Sequence, residues 1–87
     1  MTTRRLAWTQ EAWDDYVFWQ TQDLKTLKRI NTLIADVLRT PFAGIGKPEA
    51  LRENLSGLWS RRIDQTNRLV YAVDAEQITI ISCRYHY

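Results

Sequence analysis

Glu49, Arg68 and His86 are side chains of the types that can move protons around a phosphodiester: a carboxylate to accept one, a guanidinium to hold developing negative charge, an imidazole to return one. RNA suits such a set. Its 2′-hydroxyl is a built-in nucleophile, so the expected chemistry requires no metal or cofactor. Glu49 lies in an irregular stretch, and a carboxylate there is a weak base that needs help from burial or positioning. Arg68 opens a strand-like run, from which a guanidinium can pair bidentately with phosphate oxygens, and Arg52, Arg61 or Arg62 can add to it. His86 is the side chain expected to titrate near neutrality, and a terminal carboxylate on the neighbouring Tyr87 would favour its protonated form. Tyr87 is also the aromatic chosen for stacking on an unpaired base, because Trp59, Tyr71 and the helical tryptophans are needed to fill the interior.

Other chemistries are poorly served. The single cysteine, Cys83, has no partner for an intramolecular disulfide, and with a lone histidine it cannot make a zinc site of protein ligands. Gly44-Ile-Gly-Lys47 is only a fragment of a phosphate loop, and Pro48 stands where Ser or Thr would follow the lysine. No signal-peptide pattern and no run of roughly 20 apolar residues is present, so the expected location is the cytoplasm, away from any membrane. The formal charge of +2 is mild, but Lys47, Arg52, Arg61, Arg62 and Arg68 fall in one stretch with only Glu49, Glu53 and Asp64 against them. That stretch is a candidate phosphate-facing region. The same residues also suit ordinary solvated charges on a sheet.

The elements that must position these groups can be read from periodicity. At 87 residues and 45% hydrophobic the chain suits one domain spanning 1–87. Arg5 to Trp8 alternates as a short strand, and Thr9 with Glu11 begins a helix, along which Ala12, Trp13, Tyr16, Val17 and either Trp19 or Gln20 form an apolar and aromatic stripe expected to pack in the core. Leu24, Leu27, Ile30, Ile34 and Val37 recur at helical spacing until Pro41 stops them. The short connection at Thr21–Asp23 makes the pair a helical hairpin. From Pro41 to Gly57 the pattern lapses, with Ala50–Arg52 able to form only a brief turn or strand. Leu58–Ile63, Arg68–Val73 and Gln77–Tyr87 then read as an antiparallel meander. The fold class is α+β, with the hairpin on one face of a twisted, mainly antiparallel sheet and the other face partly open to a ligand. An even-numbered loop between the first two meander strands sets Arg61 beside Arg68, and an odd-numbered one sets Arg62 there.

Several segments together resemble the YoeB toxins: Trp13-Asp-Asp-Tyr16, Thr40-Pro-Phe42, Gly44-x-Gly-Lys-Pro-Glu49-x-Leu51, Asn54-Leu-Ser-Gly57, Trp59-Ser-Arg-Arg-Ile63, Arg68-Leu-Val-Tyr-Ala-Val73 and Cys83-Arg-Tyr-His-Tyr87. They keep their order from about Leu6 to the last residue. The resemblance implies the RelE-like fold and a ribosome-dependent endoribonuclease that cuts messenger RNA in the A site of the 70S ribosome, leaving a cyclic or 3′-phosphate and a 5′-hydroxyl. It implies Glu49 as general base, Arg68 as the cation at the transition state, His86 as general acid, Tyr87 as an orienting residue and Arg62 as a second phosphate contact. Arg52 stands where the family commonly has lysine, which keeps the charge and changes its geometry. A YefM-type antitoxin with an acidic, disordered tail is the implied partner. Dimers, toxin–antitoxin hetero-oligomers and promoter DNA bound through that complex are implied as well. Two rival readings use the same scaffold: a non-catalytic module that binds RNA or the ribosome, and a toxin aimed at a protein such as gyrase, whose relatives lack the Glu, Arg and His-Tyr set.

Overall fold

The computed structural model describes residues 4–85. Strand β1 (Arg5–Trp8) leads into helices α1 (Gln10–Gln22) and α2 (Leu24–Arg39), followed by the two-residue β2 (Glu49–Ala50), a 3-10 turn at Glu53–Leu55, and strands β3 (Leu58–Arg62), β4 (Arg68–Val73) and β5 (Gln77–Ser82). The sheet order is β1-β5-β4-β3-β2, parallel only between β1 and β5. The expected α+β layering and mainly antiparallel sheet are present.

Local chemistry sets the helix bounds. The Thr9 hydroxyl accepts the Ala12 N–H at 3.0 Å, capping α1 as its sequence implies. Asp23 serves twice, since its backbone N–H closes α1 on the Trp19 carbonyl while its carboxylate caps α2 through Lys25 and Thr26. One residue therefore makes the hairpin turn. Ile30, Leu33, Ile34 and Val37 of α2 pack with Ala12 and Trp19 against Leu69, Tyr71, Ile78 and Ile80 of the sheet.

Two expectations fail here. Trp13 and Val17 are 47% and 44% exposed, so the α1 stripe is not all core. Trp13 instead joins Trp8 and Tyr16 in an aromatic cluster on the rim, because a helix covering a sheet edge buries only the narrow face that carries Ala12 and Trp19. Among the described residues the last strand stops at Ser82 and does not include Cys83–Tyr85. Beyond it the backbone is captured by α1: the Cys83 N–H donates to the Asp15 carboxylate at 3.0 Å, and the Trp19 indole N–H donates to the Cys83 carbonyl at 2.8 Å.

The loop from Thr40 to Gly46 is wrapped around a buried charge. Arg61 is fully buried, its Nη1 2.5 Å from the Asp36 carboxylate, while the guanidinium also donates to the carbonyls of Thr40, Ala43 and Ile45 and to the Tyr71 hydroxyl. Those carbonyls would otherwise be orphaned acceptors in an irregular segment, and Arg61 supplies the donors that let the loop lie against the core. Asp36 takes further bonds from Arg39 and from the Ile45 N–H, and these donors, Arg61 foremost, hold its carboxyl down at about 2. Gly44 is required by contact as well as by its φ of +127°, because a Cβ there would collide with the Asp36 carboxylate. The glycines that suggest a phosphate loop therefore enclose an internal ion pair.

Candidate active site

The face of the sheet away from the helices carries the other alternate residues. In the β3–β4 ladder Arg62 lies opposite Arg68 and Ser60 opposite Val70, while Glu49 of β2 lies opposite Ser60. The five residues from Ile63 to Asn67 make the hairpin loop odd, so Arg62 is the arginine beside Arg68 and Arg61 belongs to the opposite, buried face. Arg61 is thus removed from the phosphate-facing set.

Glu49, Leu51, Ser60, Arg68 and Val70 line one cavity of about 110 Å³. Strand spacing of about 4.8 Å and a rise of about 3.4 Å per residue put the backbones of Glu49 and Arg68 roughly 12 Å apart, with long side chains reaching inward from either side. Among the described residues neither side chain forms a hydrogen bond or ion pair. A gap between an unpaired carboxylate and an unpaired guanidinium is a place for a group that both can touch. Two roomier hollows, of about 340 and 530 Å³, border α2, but their carboxylates, Asp64 and Asp36, are already engaged by hydrogen bonds inside the protein.

Arg62 and Arg68 are direct cross-strand partners of like charge, an arrangement that destabilises a sheet unless an anion is shared. Arg52 does not line the cavity. It is exposed and precedes the 3-10 turn. His86 and Tyr87 lie outside the described residues.

The segment leading to His86 is held firmly. The Tyr85 N–H donates to the Asn67 side-chain oxygen at 2.7 Å, and the Tyr85 carbonyl accepts the Arg68 N–H at 2.8 Å. Arg84 lies over the Phe18 ring, 3.7 Å from its centroid. Asn67 is itself fixed by its amide bonds to Asp64; burial opposes ionisation of that carboxylate, but the bonds from Asn67 and Thr66 outweigh it and keep the carboxyl below its ordinary range. Burial, with the nearby Asp15 charge, pushes the Cys83 thiol up to about 12, so that thiol is packing material and not a nucleophile. Asn67 falls between two strand-like runs, and its residue type and spacing mark it for a turn but not for a tertiary clamp. Asn67→Ala is expected to speed amide exchange at Tyr85 about five- to tenfold while leaving the α2 amides unchanged, the signature of one lost local hydrogen bond. Unchanged exchange at Tyr85 would remove the clamp from the account.

Two helices over one face of a five-stranded mixed sheet is the RelE-like fold, the class of small toxins that includes solved YoeB structures. Residues 8–87 match the family model described as the YoeB-like toxin of bacterial type II toxin–antitoxin systems. Toxin YoeB of Escherichia coli K12 is 57% identical over 83 residues, covering 95% of this chain and 99% of the relative. A solved YoeB/ParE toxin from Agrobacterium tumefaciens superimposes with a TM-score of 0.93 at 48% identity, covering 95% of this chain and 99% of that one. A YoeB–YefM complex from Staphylococcus aureus gives 0.88 at 44% identity, covering 97% and 98%. The chain belongs to the YoeB-like toxins of type II toxin–antitoxin systems.

Proposed function

We infer that this toxin is an endoribonuclease that cuts messenger RNA in the ribosomal A site, in the cytoplasm where translation takes place, and so halts protein synthesis. The observation that carries the reading is the shared cavity of Glu49 and Arg68, each with its charge unspent among the described residues. Glu49 takes the proton of a 2′-hydroxyl. The freed oxygen attacks the adjacent phosphorus, Arg68 and Arg62 hold the charge of the phosphorane, and His86 gives its proton to the departing 5′-oxygen. The products are a 2′,3′-cyclic phosphate, open to hydrolysis to the 3′-phosphate, and a 5′-hydroxyl. Tyr87 orients the base or the substrate, and Arg52 contacts RNA outside the cavity. The bonding of Tyr85 to the backbone of Arg68 and to Asn67 supports a role for the terminal pair, because the chain is delivered beside the first residue of β4.

The partner follows from the relatives. A YefM-type antitoxin silences the toxin in a hetero-oligomer, like the YoeB–YefM complex of Staphylococcus aureus, and promoter DNA is met through that complex; the free toxin forms homodimers, like the solved YoeB dimer from the same organism. The test is primer extension on a defined message in a purified translation system, with wild type and His86→Ala, each with and without ribosomes. Position-specific cuts are expected that need ribosomes and weaken roughly 10²- to 10⁴-fold in the variant, the usual worth of a general acid. Blocked translation with intact message would overturn the nuclease reading and leave a binding module.

A further inference from the structure

Ser60 is 1% exposed, and its Oγ is a buried side-chain atom with no hydrogen-bond partner among the described residues. Buried hydroxyls are nearly always bonded, because leaving one dry and unpaired costs free energy that a methyl group would not. This one lies in the middle of β3 on the floor of the cavity, with apolar Leu51 and Val70 beside it. Alanine or valine would fill the position without the penalty. The Ser60 hydroxyl therefore holds a donor that nothing among the described residues uses.

The register indicates the acceptor. Glu49 is the direct cross-strand partner of Ser60, and side chains so paired start with Cβ atoms about 4.5–5.5 Å apart. Glu49 is exposed, and a carboxylate at the end of three rotatable bonds spends little time in any one direction. We propose that Ser60 is the positioning residue for Glu49: when the cavity is occupied, Glu49 turns inward, the Ser60 hydroxyl donates to one carboxylate oxygen, and the other is left aimed at the proton to be removed. A serine oxygen lies about one bond beyond Cβ and a glutamate carboxylate about three, so a side-chain rotation closes the gap without backbone movement. The bond orders the base and satisfies the orphaned hydroxyl in one step.

This inference rests on the nuclease reading, and the experiment separates the two. Single-turnover cleavage on programmed ribosomes is measured for wild type, Ser60→Ala, Ser60→Thr, Glu49→Ala and the Ser60→Ala/Glu49→Ala double variant, with ribosome affinity and urea stability alongside. Ser60→Ala is expected to slow cleavage roughly 10- to 100-fold, the range for a hydrogen bond to a charged group, with unchanged affinity and no loss of stability. Ser60→Thr, which keeps the hydroxyl, is expected to recover most of the rate. In the Glu49→Ala background Ser60→Ala is expected to have no further effect, because a residue acting through the base has nothing left to act on. Equal cutting by wild type and Ser60→Ala, or a Ser60→Ala loss that persists without Glu49, overturns the inference and leaves the nuclease reading intact. No cutting by wild type removes both.

Discussion

Arg61→Ala is expected to be strongly destabilising, costing about 3–5 kcal/mol, the range for removing one partner of a buried ion pair. Domains of this size have roughly 5–15 kcal/mol in total, so the variant should be partly unfolded at 37 °C. The loss has two origins. Asp36 keeps a carboxylate in a site it shares with the core residues Leu33 and Val37 of α2, and the carbonyls of Thr40, Ala43 and Ile45 lose the donors that hold the loop inward. Arg61→Lys is expected to recover little, since one ammonium cannot reach five acceptors spread around a planar fork. Arg62→Ala is the control. It removes an exposed side chain whose neighbour repels it, and its stability should stay within about 0.5 kcal/mol of wild type. Urea unfolding of the three variants checks this, and equal midpoints for Arg61→Ala and Arg62→Ala would contradict the burial argument.

The same pair predicts an acid response. Asp36 is held at about 2, below the ordinary carboxylate value of 3.8, so its stabilisation is complete above the unfolded-state pKa and is lost as pH falls from about 4 through 2. Asp23, Asp64 and Asp74, also lowered by their hydrogen bonds, add in the same direction. Asp15 opposes them: burial, foremost, raises its pKa, so its protonation favours the folded state. The Arg61→Ala variant should show a flatter acid limb because the strongest of these carboxylate interactions has gone.

Much of this architecture is legible in the sequence where local chemistry decides the outcome. Thr9 caps α1, and the spacing from Leu24 to Val37 makes α2, because one hydroxyl and one apolar period suffice. Tertiary partners decide the rest. Asp36 reads as one more polar residue between apolar ones, yet it shares a side of α2 with Leu33 and Val37, and only the folded chain brings Arg61 to it. The aromatic run at the C-terminus has strand composition, but Asp15 and Trp19, distant in sequence, claim its backbone after Ser82. The choice between Arg61 and Arg62 turned on whether the β3–β4 loop is odd or even, which composition does not fix. Ser60 was invisible as a functional residue because its alternation with Leu58 and Arg62 shows only which face it occupies, not that its hydroxyl goes unpaired.

Arg68→Ala should separate activity from stability most widely. Its side chain has no partner among the described residues, and removing it relieves the repulsion with Arg62 across the ladder, so the thermal midpoint should hold or rise slightly. The backbone bond from Arg68 N–H to the Tyr85 carbonyl does not depend on the side chain and should survive, keeping the terminal segment in place. Cleavage should nevertheless fall roughly 10²- to 10³-fold, the loss typical of removing a preorganised donor from a developing oxyanion. Arg68→Lys keeps the charge but not the fork, and should recover only part of the rate. Arg62→Ala should cost less than Arg68→Ala because Arg62 stands outside the cavity lining. Single-turnover rates and ribosome affinities decide the matter together. A rate loss at constant affinity places Arg68 at the transition state, whereas weakened ribosome binding with undiminished cutting of bound message would make it an anchor and move the chemistry elsewhere.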